Sequence, residues 1–400
     1  MKRLTCLGVL FLLMAMTLIG GQVHGSSLPN VIKLGAMAPL SGPSAASGQD
    51  MKEGYELAVA EINAKGGILG SKVELILEDD KNDPATGISA FEKLMSKDKV
   101  SVVMGSVSST VALALAGPAK RYQPIMAWTG AASVKVEEAF ADADWFFHYH
   151  PWEYHNLAAT VDFFVYTGGK TVGIAYEDSL FGQSCKDGII PLIDKAGLKV
   201  VAIEPFKTGS PDVTPMLTKI KSKNPDIFYW VGYAADAIPI TTQAREVNFN
   251  PRVTYGVPPT WAQGYEKLKE SEYIAGLTFW TPDMPMPESG EWVAKYVARF
   301  KHRPMSYWAP LAYTNLITVA DAIEKAGTLD KKAVMAALAQ TNYKSPLGRT
   351  LTFGPSKHIK HQGFSDWVSF QWRNGQMEVV FPENMRTKPL VYPVPEWSKR

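Results

Sequence analysis

The chain has 400 residues, 46% of them hydrophobic, with 41 Lys and Arg against 39 Asp and Glu and a net charge of +2. Near-neutrality excludes attraction of nucleic acid or anionic lipid through bulk charge. Two cysteines in 400 residues exclude a scaffold built on disulfides.

Met1, Lys2 and Arg3 precede an apolar run at 4–19, then Gly20, Gly21 and small exit residues around Val23-His24-Gly25. That pattern describes a signal peptide over residues 1–25, removed before Ser26, which places the mature chain in the periplasm. The run is shorter than the ~20 residues a membrane helix needs. Losing Lys2 and Arg3 takes the 41 basic residues to 39, equal to the 39 acidic ones, and leaves Cys185 alone. A mature chain of roughly 375 residues exceeds the ~250–300 at which one core stops growing, so two lobes are expected.

From Val31 to Pro84 the order reads strand, small-residue loop, amphipathic helix, Gly-Gly stop, strand, acidic turn. Met51, Tyr55, Ala58 and Ile62 form one apolar helix stripe, and Gly66-Gly67 ends it. Helices at 85–96 and 109–122 alternate with strands at 100–104 and 124–128, a βαβαβ series that builds a parallel sheet with a crevice at its strand ends. A second series follows Pro151: helices at 157–166, 182–196, 213–221 and 237–247, strands at 171–176, 198–203, 226–232 and 252–256. Helices at 291–300, 310–326 and 331–340 then pack back onto the first lobe, and short strands around Asn374-Gly375 close the chain.

Gly105-Ser106-Val107-Ser108-Ser109-Thr110 lies where a strand ends and a helix begins, a place that suits a carboxylate or a plain Ser cap. Trp128-Thr129-Gly130-Ala131-Ala132-Ser133 ends the next strand and faces the same crevice. His148 and His150 share one face of a strand, with His155 nearby, but no third ligand set supports a metal, and none is expected. Asp79, Asp80 and Asp83 suit turn capping better than acid–base work. Gly169-Lys170-Thr171 lacks the earlier glycine of a phosphate loop, and Gly42-Pro43-Ser44-Ala45-Ala46 is not a nucleophile elbow. No catalytic residue and no cofactor is expected.

Gly54-Tyr55-Glu56-Leu57-Ala58, leading to Glu61-Ile62-Asn63-Ala64-Lys65-Gly66-Gly67-Ile68 and Glu78-Asp79-Asp80, resembles the leucine/isoleucine/valine-binding protein family, the periplasmic receptors of branched-chain amino acid ABC transporters. The likeness continues through 170–182, 226–245 and 345–372. It implies an α/β, type I periplasmic-binding fold: two Rossmann-like lobes, three crossing segments and a ligand cleft between them. The lobes would span 28–147 plus 281–355, and 148–280 plus 356–400. It also implies a monomer that closes on a small-molecule carboxylate and hands it to a membrane permease. A sensor using the same clamshell, and an exported hydrolase using His148 and His150, are the competing classes.

Carried over by position, Ser109, Gly130 and Ala132 fall where the family grips the ligand carboxylate. Ala132 stands where Thr is usual, so Ser133 or Thr129 would have to replace a hydroxyl. Ser47 replaces a Tyr, Phe181 and Tyr233 match second-lobe aromatics, and Trp308 matches a Phe that closes over the side chain. The loop Tyr255-Gly256-Val257-Pro258-Pro259 has no acid where amino-acid receptors hold the ligand ammonium. Asp236 or Glu177 would have to supply that charge. Otherwise the ligand is an aromatic or hydrophobic acid without an amine, stacked among Trp128, Trp152, Phe181, Tyr233 and Trp308, with His148 and His150 as further donors.

Overall fold

The structure is a computed structural model that describes residues 28–400; the expected leader at 1–25 lies outside the described residues. Among the described residues no helix is long and apolar enough to cross a membrane.

Two sheets carry the fold. The first runs Lys72–Asp79, Val31–Ala38, Val102–Gly105, Ile125–Trp128, Phe146–His148 and His361–Gln362, every pair parallel. The second runs Lys199–Phe206, Thr171–Glu177, Ile227–Val231, Val253–Val257 and Ala275–Thr278, all parallel, and is closed by antiparallel Val368–Arg373 and Gln376–Phe381. Central strands such as Val102–Gly105, Ile125–Trp128 and Ile227–Val231 are buried at every residue. Helices cover both sheet faces, which is why these strands are runs of apolar residues and not alternations.

The return of the C-terminal helices onto the first lobe is seen directly. Trp308–Ala326 packs on Ala45–Ala64, and Asn315 Nδ2 donates to the carbonyl of Ala127 at 2.8 Å. Gly54 permits this contact: a Cβ there would sit 2.1 Å from the carbonyl oxygen of Ala309. The acidic turn also behaves as expected. Asp79 accepts from Leu40 N and Lys81 N, each at 2.9 Å, and Asp83 caps the next helix through Thr86 N at 2.8 Å.

Three placements differ from the sequence reading. The helix expected at 109–122 is two pieces, Ser109–Ala114 and Ala116–Tyr122, because Pro118 has no N–H to offer the carbonyl of Ala114 and its ring crowds that turn. The strand holding His148 ends there, so His150 lies in the following crossing segment. His361–Gln362 pairs with Phe146–His148, so the final crossing follows Gln362 instead of residue 355.

Candidate functional site

Strand ends of both sheets meet at a small closed cavity of about 20 Å³, room for little more than a water molecule. The lobes are shut over it. Ser109 and Ala132 reach it from the first sheet, Phe181, Tyr233 and Val257-Pro258-Pro259 from the second, and Tyr307, Trp308 and Trp367 from the segments that cross or return. No charged side chain is among its lining residues. A larger groove of about 640 Å³ also lies between the lobes, with Asp50, Glu53 and Met305 on one side and Trp261, Trp372 and Met377 on the other, and it shares no lining residue with the cavity.

The first-lobe wall is a row of donors. Ser109 Oγ accepts from Ser133 N at 3.2 Å, which leaves its O–H free to donate. The amides of Gly130 and Ala132 make no hydrogen bond within the described residues. Between them Ala131 holds φ +70°, a left-handed conformation that a non-glycine residue adopts at a cost. Behind this loop, His148 Nε2 lies 2.8 Å and 3.1 Å from the carbonyls of Gly130 and Ala131, and Nδ1 lies 3.1 Å from Gln362 Oε1. Burial pushes the His148 pKa down to about 4, so the ring is neutral at pH 7.

Several expected positions are corrected by this geometry. Trp128 and Trp152 are fully buried in a first-lobe core, and Trp152 stacks on His148 with centroids 3.7 Å apart. Neither reaches the cavity: a parallel strand is covered on both faces, and sequence does not say which face is the crevice. Thr129 does not replace the hydroxyl missing at Ala132, since its Oγ1 is held by Tyr55 at 2.9 Å and Asn315 at 3.2 Å. Ser133 does not either; its hydroxyl bonds Ser184 across the seam at 2.7 Å. Gly130 does not line the cavity by a side chain, but a Cβ there would lie 2.8 Å from the Trp308 ring. Ser47 bonds Thr260 of the second lobe at 2.8 Å instead of facing a ligand.

His150 lines the cavity but offers it no donor. Its Nδ1–H donates to the Pro151 carbonyl at 2.7 Å, and its Nε2 accepts from the Tyr307 hydroxyl at 3.2 Å. Burial lowers its pKa to about 3, which keeps it neutral, and the Pro151 carbonyl sets the tautomer. What it contributes is a ring face, stacked on Trp308 at 5.2 Å and 8°. Among the described residues no three His, Cys, Asp or Glu side chains gather as a metal site.

The two acids expected to supply a charge for an ammonium are both committed. Asp236 accepts Gly209 N and Tyr233 N, each at 2.7 Å. Glu177 accepts Ser179 N at 2.7 Å, Ser179 Oγ at 2.8 Å and Gly182 N at 2.5 Å. Burial raises both pKa values, and neither residue lines the cavity. In the loop where an acid was missing, Pro259 gives its carbonyl to Trp308 Nε1–H at 2.9 Å.

That bond is one of several across the seam. Ser47 Oγ donates to Thr260 Oγ1, Thr260 to Ser306 Oγ at 3.3 Å, and Ser306 to Asp50 Oδ2 at 2.5 Å. Trp308 N donates to the same Ser306 oxygen at 3.2 Å, so this chain helps set the tryptophan's position.

Asn156, Tyr307, Trp367 and Leu277 line the cavity and were missed. Tyr307 adjoins Trp308 and was within reach of the sequence reading; Trp367 sits in an irregular crossing with no periodic signal.

A profile of the periplasmic binding protein family matches residues 31–376. The chain belongs to that family. It falls with the Leu/Ile/Val-binding proteins: it is 23% identical over 390 residues to Leu/Ile/Val-binding protein homolog 7 of Brucella abortus, covering 93% of this chain and 96% of that protein. Two solved structures share the fold. One is the branched-chain amino acid transporter substrate-binding protein LivJ of Streptococcus pneumoniae in complex with isoleucine, 24% identical, TM-score 0.76, covering 88% of this chain and all (100%) of that one. The other is an ABC transporter solute-binding protein of R. palustris in complex with benzoate, 20% identical, TM-score 0.80, covering 90% and 98%. This periplasmic binding protein thus has fold relatives on both sides of the question its cavity poses, an amino acid or an acid without an amine.

Proposed function

We propose that this periplasmic binding protein captures a small carboxylate with an aromatic or hydrophobic body and no amine, and delivers it to a membrane permease. The observation that carries this reading is the absence of any charged side chain among the cavity's lining residues. A carboxylate has natural partners there in the Ser109 hydroxyl and the amide of Ala132, with the unbonded amide of Gly130 in the same loop. An ammonium has none of opposite charge, and burying it unpaired costs several kcal/mol. That sum removes micromolar affinity. The body of the ligand would meet Phe181, Tyr233, Trp308 and Trp367.

Binding then works by lobe closure. The first lobe takes the carboxylate on its donors, and the second lobe swings over to bring its aromatic wall and the seam bonds. No covalent step is involved. Titration calorimetry with the twenty standard amino acids and a set of benzoate-type and branched aliphatic acids tests the reading. Saturable heat from acids lacking an amine is expected, with leucine and isoleucine at least about a hundredfold weaker. Tight leucine binding with silence from every plain acid would refute it.

A further inference from the structure

Two side chains lining the cavity carry a buried polar atom without a partner: Trp367 at Nε1, a donor, and Asn156 at Oδ1, an acceptor. Asn156 is 2% exposed, lines the cavity, and its Oδ1 is buried without any hydrogen bond. Its side chain lies beside the buried Cys185, a thiol that burial keeps protonated. An acceptor left bare in a closed apolar space costs free energy until something donates to it.

The position of this acceptor is defined by backbone contact. Asn156 lies one turn into the helix Glu153–Thr167, and Glu153 N donates to the carbonyl of Ala132 at 2.7 Å. The helix start is therefore tied to the loop that presents the carboxylate donors. Asn156, Ser109 and Ala132 line the same cavity, so a ligand held by its carboxylate at Ser109 and Ala132 presents its neighbouring atoms to Asn156.

Resting on the carboxylate reading above, we propose that Asn156 is a specificity-determining residue and that the ligand carries a neutral hydrogen-bond donor, a hydroxyl, on the carbon next to its carboxylate. The ligand class becomes 2-hydroxy acids with an aromatic or branched body. An ammonium at that carbon would also donate to Asn156, but it would bring a charge that no lining side chain answers. Glu153, the acid nearest on the helix, has its carboxylate near Val134 N and Ser184 and is not a lining residue.

The test is calorimetry on the full mature protein with two matched sets: phenylacetate, mandelate and phenylglycine; isovalerate, 2-hydroxyisovalerate and valine. In at least one set the hydroxy acid should bind at least about tenfold more tightly than the plain acid, and the amino acid most weakly. In Asn156→Leu the ratio of hydroxy-acid to plain-acid affinity should fall from at least about tenfold to about one, whatever happens to plain-acid binding itself. Asn156→Ser, smaller and still polar, repeats the comparison if the leucine variant fails to fold. Equal binding of plain and hydroxy acids, or equal loss of both in the variants, overturns the assignment while leaving the carboxylate receptor intact. Tightest binding of the amino acid overturns it by revealing a charge partner. Silence from all six compounds and from every other carboxylate removes the carboxylate reading, and this inference with it.

Discussion

Trp308→Ala is expected to weaken binding of the best acid at least about a hundredfold, whereas Trp308→Phe should weaken it only about two- to tenfold. The two variants separate the two things this side chain does. Alanine removes a ring that stacks on His150 at 5.2 Å, lies against Tyr307 at 4.9 Å, and is buried to 1% exposure at the cavity wall. Phenylalanine keeps most of that surface and loses the indole N–H that donates to Pro259 across the lobes at 2.9 Å. A neutral hydrogen bond of this kind is worth about 0.5–1.5 kcal/mol, and here it is made only when the lobes are shut. Calorimetry on each variant, with a thermal melt to confirm folding, reads both numbers. Alanine binding within threefold of the unmodified protein would mean that Trp308 is not part of the ligand wall.

Asp50→Asn is expected to change how stability depends on pH. Asp50 is fully buried; desolvation raises its pKa to about 7, against hydrogen bonds from Ser306 Oγ and Met305 N and with the nearby Glu53 charge adding to the rise. A carboxylate with a raised folded-state pKa contributes stability that is complete below its unfolded value near 4. That contribution is lost as pH climbs to about 7. The asparagine variant carries no such dependence, so the unmodified protein should lose stability relative to it between pH 4 and 7.5, by on the order of a few kcal/mol. Asp80 and Glu153, raised to about 6 and about 7, push the whole protein the same way. His148, His150 and His155, held down by burial to about 4, 3 and 4, push the other way, because they charge on unfolding below pH 6.5. The variant difference in urea melts is therefore the readout, not the absolute curve. Parallel curves for the two proteins from pH 4 to 7.5 would show that Asp50 is hydrated or paired in solution.

Much of the fold could be read from residue patterns because its units are long and periodic. The stripe Met51, Tyr55, Ala58 and Ile62, closed by Gly66-Gly67, marks the helix Ala45–Ala64, and the continuous apolar strands mark sheets covered on both faces. Short elements carried no such signal. Val134–Ala139 has six residues and His361–Gln362 two, too few for a period to show, and each is held by what it packs against. That Ser109 and Ala132 lie at the cavity was legible because they sit just past strand ends. Trp128 was misplaced because a strand end identifies a location but not the face to which the side chain turns. Asn156 was invisible for a related reason: a polar residue on the first turn of a helix looks like an ordinary solvated position until the opposite lobe closes over it.

The most direct test of the central claim, a shell that shuts on an acid without reacting with it, is small-angle X-ray scattering titrated with the acid that binds best in calorimetry. The radius of gyration is predicted to fall and to saturate at the concentration where the calorimetric heat saturates, with the acid recovered unchanged afterwards. A scattering profile that stays the same while the heat saturates, or conversion of the acid into a product, would contradict the account.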